Sequence, residues 1–186
     1  MKKKEDTPNK QRELVKIISE IGIENNIKVQ YFSHNWIIKL SKNGSTAHIF
    51  GYNFEINSST ALLVANDKSA TSDLLSINDV SNVEHKLFLN PSLSHYVGQN
   101  GTWINIINYA KKRDYQLVAK ATSGTGGNNV FKIHSANELE KAVHKLFSKN
   151  RSLCLSPLYS IKNEYRIVVL EEKAELVYKK QIPHIV

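Results

Sequence analysis

The chain has a single cysteine, Cys154, so no internal disulfide can form and a disulfide-stapled scaffold is excluded. It has no apolar run near the ~20 residues of a membrane-spanning helix, and the lysines of MKKKEDTPNKQ lead into no apolar stretch of the kind a secretory signal needs. A cytoplasmic protein with no membrane as partner is the expectation. The histidines (34, 48, 85, 95, 134, 144, 184) never pair at i,i+4 or with the cysteine, so a zinc site is not expected. Acidic residues are in the minority, 17 Asp plus Glu against 25 Lys plus Arg, giving a formal charge of +8. That balance suits a phosphate-rich partner. The basic residues are nonetheless scattered apart from a cluster within the first 16 positions. No stripe of cations interleaved with aromatics and no zinc-finger, helix-turn-helix or RNA-recognition signature occurs, so nucleic acid is not the expected partner.

What is present is 186 residues with 41% hydrophobic content, enough for a core of one domain or two small lobes. Thr7-Pro8 followed by Leu14, Ile17, Ile18 and Ile21 predicts a helix over about 8–22. KVQYF, WIIKL and TAHIFG then read as strands, with Lys42-Asn43-Gly44 as a hairpin turn. Ser58 and Asp67 are placed to cap two short helices, the second with Ala70, Leu74 and Leu75 on its apolar side. VEHKLFL returns to strand character, and a second unit is expected after Pro91. There NGTWINIINYAKK reads as a helix, and YQLVAKA and VFKIH as a hairpin around TSGTGGNN. Ser135 and Glu138 form a capping box for a helix that buries Leu139, Val143, Leu146 and Phe147. SLCLS, EYRIVVL and AELVYKK are the remaining strands. The order is α+β rather than the strict alternation of a doubly wound sheet. Trp36 and Trp103 are expected in the core, and Cys154 as a quiet packed residue.

The strongest local signal for chemistry is LVAKATSGTGGNNV, in which a strand delivers Lys120 to a loop of Ser123, Gly124, Thr125, Gly126 and Gly127. Glycines let backbone N–H groups turn toward phosphate oxygens, and a lysine beneath adds a point charge. The loop is neither a Walker motif nor G-x-G-x-x-G, and a plain hairpin connection would read the same way.

Taken with Asp67-Lys68 upstream, Glu164-Tyr165-Arg166 downstream and Lys180 beyond, this segment resembles the ATP-grasp superfamily, in particular its members of the cyanophycin synthetase, glutathione synthetase and D-alanine ligase kind. The resemblance covers roughly residues 55–186. It implies a small N-terminal α/β domain, residues 1–90, before a grasp domain, residues 91–186, that holds the Gly-loop lobe and part of the second lobe. It further implies that Lys68 and Lys120 contact ATP phosphates, that residues 123–127 are a lid, and that Pro157, Leu158 and Tyr159 hold adenine at a hinge. Arg166 and Lys180 would neutralise the transferring phosphoryl group, and ATP with Mg²⁺ would be the cofactors.

Members of the family hold Mg²⁺ with an acidic residue and a Glu-x-Asn beyond the point matching Lys180, and no such residues occur before Val186. Either the parent is longer and the metal ligands are expected beyond residue 186, or the chain is a degenerate relative that binds without turning over. Glu171, Glu172 and Glu175 are expected in a solvated turn. The function implied is the ATP-binding part of a carboxylate–amine ligase working through an acyl phosphate, with carboxylate and amine substrates undefined. A non-catalytic nucleotide-binding or scaffolding module is the alternative, and a basic nucleic-acid-binding protein a third.

Overall fold

The computed structural model describes residues 12–124 and 126–181. The expected Thr7-Pro8 helix start and Thr125 lie outside them. Two compact units divide between Leu63 and Val64.

In the first unit, helix α1 (Glu13–Glu24) buries Val15 and Ile18 against the meander β1 (Lys28–Phe32), β2 (Ile37–Lys42), β3 (Ser45–Phe50) and β4 (Asn53–Phe54). Ile38 and Ile49 face each other across β2 and β3 and complete this small core. Asn43 and Gly44 turn the hairpin with φ of 50° and 80°, the left-handed pair that a two-residue turn requires. Trp36 is not a core residue. Its ring is 45% exposed, with Phe50 edge-on at 6.2 Å and the Arg12 guanidinium 4.8 Å from its centroid. The strand turns here through Ser33, His34 and Asn35, all at positive φ, which leaves the indole on the rim as a platform for a cation.

Helix α2 (Ser59–Asn66) spans the division, and Ser58 caps it through the amide of Ala61. In the second unit Asp67 caps helix α3 (Lys68–Ile77), its Oδ1 accepting from the amides of Ser69 and Ala70 at 2.9 Å. Such a cap stabilises a helix by ~1 kcal/mol. The face that α3 buries is Ser69 and Ser72 rather than the expected Ala70, Leu74 and Leu75. Ser72 Oγ donates to Asn82 Oδ1 at 2.8 Å and accepts from the His85 amide at 3.1 Å, so polar side chains pin this helix to the strand that follows.

That strand, β5 (Lys86–Leu89), leads through a 3₁₀ turn at Pro91–Leu93 and the single-turn α4 (Ser94–Val97) to α5 (Trp103–Lys111). Strands β6 (Leu117–Ala121) and β7 (Val130–Ile133), helix α6 (Ala136–Phe147) and strand β8 (Ser152–Pro157) follow. The sheet runs β5-β8-β6-β7, antiparallel throughout. Although β5 precedes Pro91, it pairs along β8 from Lys86–Leu155 to Leu89–Ser152, inside the second unit. Ile106 and Ala110 of α5 and Leu139, Ala142, Val143 and Leu146 of α6 bury themselves on Leu117, Ala119, Ile133, Leu153 and Leu155. Strands β9 (Glu164–Leu170) and β10 (Lys173–Lys180) form a separate hairpin. Glu171 and Glu172 make its turn at positive φ, and Glu175 lies on β10 itself, beside a register shift. The chain is a mixed α+β protein, as expected.

Candidate functional site

Lys120 reaches the site because β6 alternates. Leu117 and Ala119 point into the core, so Val118 and Lys120 point to the other face. The β6–β8 register sets Lys120 opposite Cys154, whose thiol is fully buried. Burial lowers the Lys120 ammonium pKa below the ordinary lysine range. The neighbouring Cys154 works against that shift, and the charge of Lys68 adds to it. Burial raises the pKa of the Cys154 thiol, with Lys120 and Lys68 acting in the opposite direction.

Lys68 arrives from the first residue of α3. Its amide donates to the Thr122 carbonyl at 2.9 Å, and its Nζ donates to the carbonyls of Thr122 at 3.3 Å and Gly124 at 3.2 Å. The helix start is thereby tied to the beginning of the glycine loop across 54 residues of sequence. His85 senses the same two cations. Its pKa is lowered chiefly by burial and further by Lys120 and Lys68, against a hydrogen bond of 2.7 Å between Nδ1 and the Val83 carbonyl. Among the described residues neither Lys68 nor Lys120 has a carboxylate partner within ion-pair distance. Two uncompensated cations beside a glycine loop make a place that attracts anions.

The loop itself has the geometry that only glycine adopts freely. Gly124, Gly126 and Gly127 have φ of 108°, 74° and 73°. A Cβ on Gly124 or Gly127 would meet nothing within 4 Å, so conformation rather than crowding requires glycine there.

Arg166 and Lys180 come from the β9–β10 hairpin, whose register pairs Glu164 with Lys180 and Arg166 with Tyr178. Residues two apart on a strand share a face, which puts Glu164, Arg166 and Lys180 side by side. Lys180 Nζ lies 3.1 Å from Glu164 Oε1, and Arg166 Nε 3.9 Å from the same oxygen.

One cavity of about 590 Å³ is lined by Lys68, Lys120, Ser123, Gly124, Gly126, Gly127, Arg166 and Lys180, together with Ala121, Asn128, Val130 and Glu164. All the expected phosphate-binding and charge-neutralising residues that fall within the described chain meet there. Pro157, Leu158 and Tyr159 do not line it. Pro157 ends β8 opposite Leu117, the Leu158 amide donates to the Gln116 carbonyl at 3.0 Å, and Tyr159 is exposed. Along β8, Pro157 stands about 10 Å from Cys154, the partner of Lys120, and Leu158 and Tyr159 follow beyond the end of the strand.

The lining holds four cations and one carboxylate, a net positive charge that favours anions. Sequence reasoning missed Glu164 as a lining residue, His85 behind Lys68, and Asn128. Glu164 was readable as the acidic member of Glu-x-Arg, whereas His85 carries no local signal.

The triphosphate of ATP fits this donor set, since backbone amides, hydroxyls and ammonium groups are the usual phosphate partners. For Mg²⁺ the lining offers a single carboxylate, Glu164, which is paired with Lys180, and among the described residues no group of three or more His, Cys, Asp or Glu is placed to hold a metal.

No family model matches the chain, and no curated protein matches it. Among solved structures it is similar to a bifunctional glutathione synthetase from Pasteurella multocida, with 17% identity, a TM-score of 0.44, and coverage of 84% of this chain and 20% of that one. The chain thus spans a fifth of that protein's length. Among the described residues no helix is long and apolar enough to cross a membrane.

Proposed function

We propose that the cavity binds ATP and that the chain is the ATP-binding part of an ATP-dependent carboxylate–amine ligase of the ATP-grasp kind. The observation that carries the reading is the convergence of Lys68, Lys120, the glycine loop, Arg166 and Lys180, drawn from separate segments, on one cavity. Lys68 and Lys120 hold the phosphates from the floor, and the loop's amides and the Ser123 hydroxyl close over them. Arg166 and Lys180 face the terminal phosphoryl group from the hairpin. Pro157, Leu158 and Tyr159, at and just beyond the end of β8, are the adenine-binding residues.

In this reading a substrate carboxylate oxygen attacks the γ-phosphorus and ADP leaves. An amine then attacks the acyl carbon, forming the C–N bond and releasing phosphate. The protein's part is to align the attacking oxygen and to hold cations against the phosphoryl oxygens, where charge is spread during transfer. Glu164 keeps Lys180 and Arg166 extended and in register for that task. The nucleotide-binding unit in this reading takes in Lys68 and strand β5 together with the segments after residue 91, all within the second compact unit.

A non-catalytic nucleotide-binding module is the second reading. The lining favours it, because its one carboxylate is neutralised by Lys180.

Both readings require the loop to order on the nucleotide. Three glycines and almost no apolar anchor leave residues 123–128 with high conformational entropy, so their amides should exchange quickly in the free protein. ATP should slow them, while amides of β1 and β2 stay unchanged. Loop amides equally protected with and without ATP would count against both.

A further inference from the structure

A second cavity, of about 470 Å³, lies beside the start of α5, one flank of α6 and the turn after β5. It shares no lining residue with the glycine-loop cavity. Its volume is that of a small-molecule pocket, and its walls are Pro91, Trp103, Ile106, Val143 and Phe147.

The walls are fixed by backbone contacts. Asn100 Oδ1 accepts from the Leu89 amide at 2.8 Å, which clamps the loop before α5 onto the end of β5. Gly101 sits so close to Leu89 that an added Cβ would lie 1.5 Å from its carbonyl oxygen. Asn90 Nδ2 donates to the Phe147 carbonyl at 2.9 Å, and its Oδ1 accepts from the Ser92 amide at 3.0 Å, so this asparagine is consumed by the frame. Trp103, expected in the core, is 40% exposed because it forms the pocket wall.

The charge of the pocket opposes that of the chain. In a protein of net charge +8, no Lys or Arg lines it, and its one carboxylate is Glu140, with His144 one helical turn further along α6. Among the described residues Glu140 takes part in no ion pair. An indole and a phenyl ring beside an unpaired carboxylate are the elements that recognise an organic cation.

We infer that this pocket binds a small organic ammonium ion with a flat apolar body, of the arylalkylamine class. The body lies against Trp103, Ile106, Val143 and Phe147, and the ammonium group donates to the Glu140 carboxylate. The inference is independent of the nucleotide site.

The test is a calorimetric titration of the full chain with phenethylamine, its anionic counterpart 3-phenylpropionate serving as the comparison. In parallel, Trp103 emission is followed in a Trp36→Phe background, because the chain has two tryptophans and Trp36 belongs to the other unit. Phenethylamine should bind at one site and change Trp103 emission. Glu140→Gln, on an exposed helix position, should weaken it about two- to fivefold, the loss expected for a solvent-screened ion pair. The anion should give no response. The inference is overturned if millimolar phenethylamine leaves both signals unchanged, if Glu140→Gln binds it equally, or if 3-phenylpropionate binds as well as the amine.

Discussion

Replacing Lys120 by alanine should weaken ATP binding by about ten- to a hundredfold, the loss expected when a hydrogen bond to a charged group worth ~1.5–3 kcal/mol is removed. The effect is expected at the upper end because Lys120 is half-buried against β8. A phosphate would meet its ammonium where water competes less than at the open surface. Burial and Lys68 also lower its pKa, so ATP affinity should decline with rising pH earlier than an ordinary lysine would dictate. The polyanion favours the charged form, so binding draws the proton back as the pH approaches that lowered value. Lys120→Ala should remove this pH dependence along with the affinity. Lys16→Ala, on the exposed face of α1 and paired with Glu13, should leave both unchanged. Calorimetry across a pH series on the three proteins decides it, and equal affinities for wild type and Lys120→Ala would contradict the assignment.

The largest stability effect is expected at Gly101→Ala. The added Cβ would stand 1.5 Å from the Leu89 carbonyl oxygen and 2.7 Å from the carbonyl carbon. Both are backbone atoms, so no side chain can rotate away to make room. Either the loop before α5 lifts off, breaking the Asn100–Leu89 hydrogen bond, or β5 shifts along β8. Overpacking costs ~1–3 kcal/mol where side chains can yield, and a rigid backbone contact should cost about 3 kcal/mol or more. Urea unfolding followed through Trp103 emission, with both proteins in the Trp36→Phe background, should therefore show a clearly lowered midpoint. A midpoint equal to that of the wild type would mean that the loop does not rest on Leu89.

Features of the chain that depend on a few neighbouring residues were legible in the sequence. The Asp67 and Ser58 caps, the Asn43-Gly44 turn and strand β1 all follow from local chemistry. Half of the Ser135 capping box also follows from local chemistry, since the Ser135 hydroxyl accepts from the Glu138 amide. In the other half, Glu138 closes on the His134 amide at 2.7 Å rather than on the cap residue's own amide.

Long-range contacts left weaker traces. NGTWINIINYAKK reads as one helix from its first residue, yet α5 begins at Trp103 because Asn100 and Gly101 are drawn off to clamp Leu89. Both tryptophans read as core and stand at rims, where their rings face Arg12 in one unit and the second cavity in the other. The polar buried face of α3 contradicts simple periodicity, because Ser72 earns its burial through Asn82 and His85. At the site, the order of the motifs anticipated which residues converge. It could not reveal that Lys68 ties down the loop through the Thr122 and Gly124 carbonyls, or that Cys154 lies opposite Lys120.

The central claim is that the glycine-loop cavity holds the triphosphate of ATP, and a crystal structure of the chain with a non-hydrolysable ATP analogue tests it most directly. The triphosphate should lie within hydrogen-bond distance of Lys68 Nζ and Lys120 Nζ, beneath residues 123–127, with Arg166 and Lys180 toward its γ-end and the base beside Pro157–Tyr159. An analogue bound elsewhere on the chain, or a cavity left empty at saturating analogue, would contradict the account.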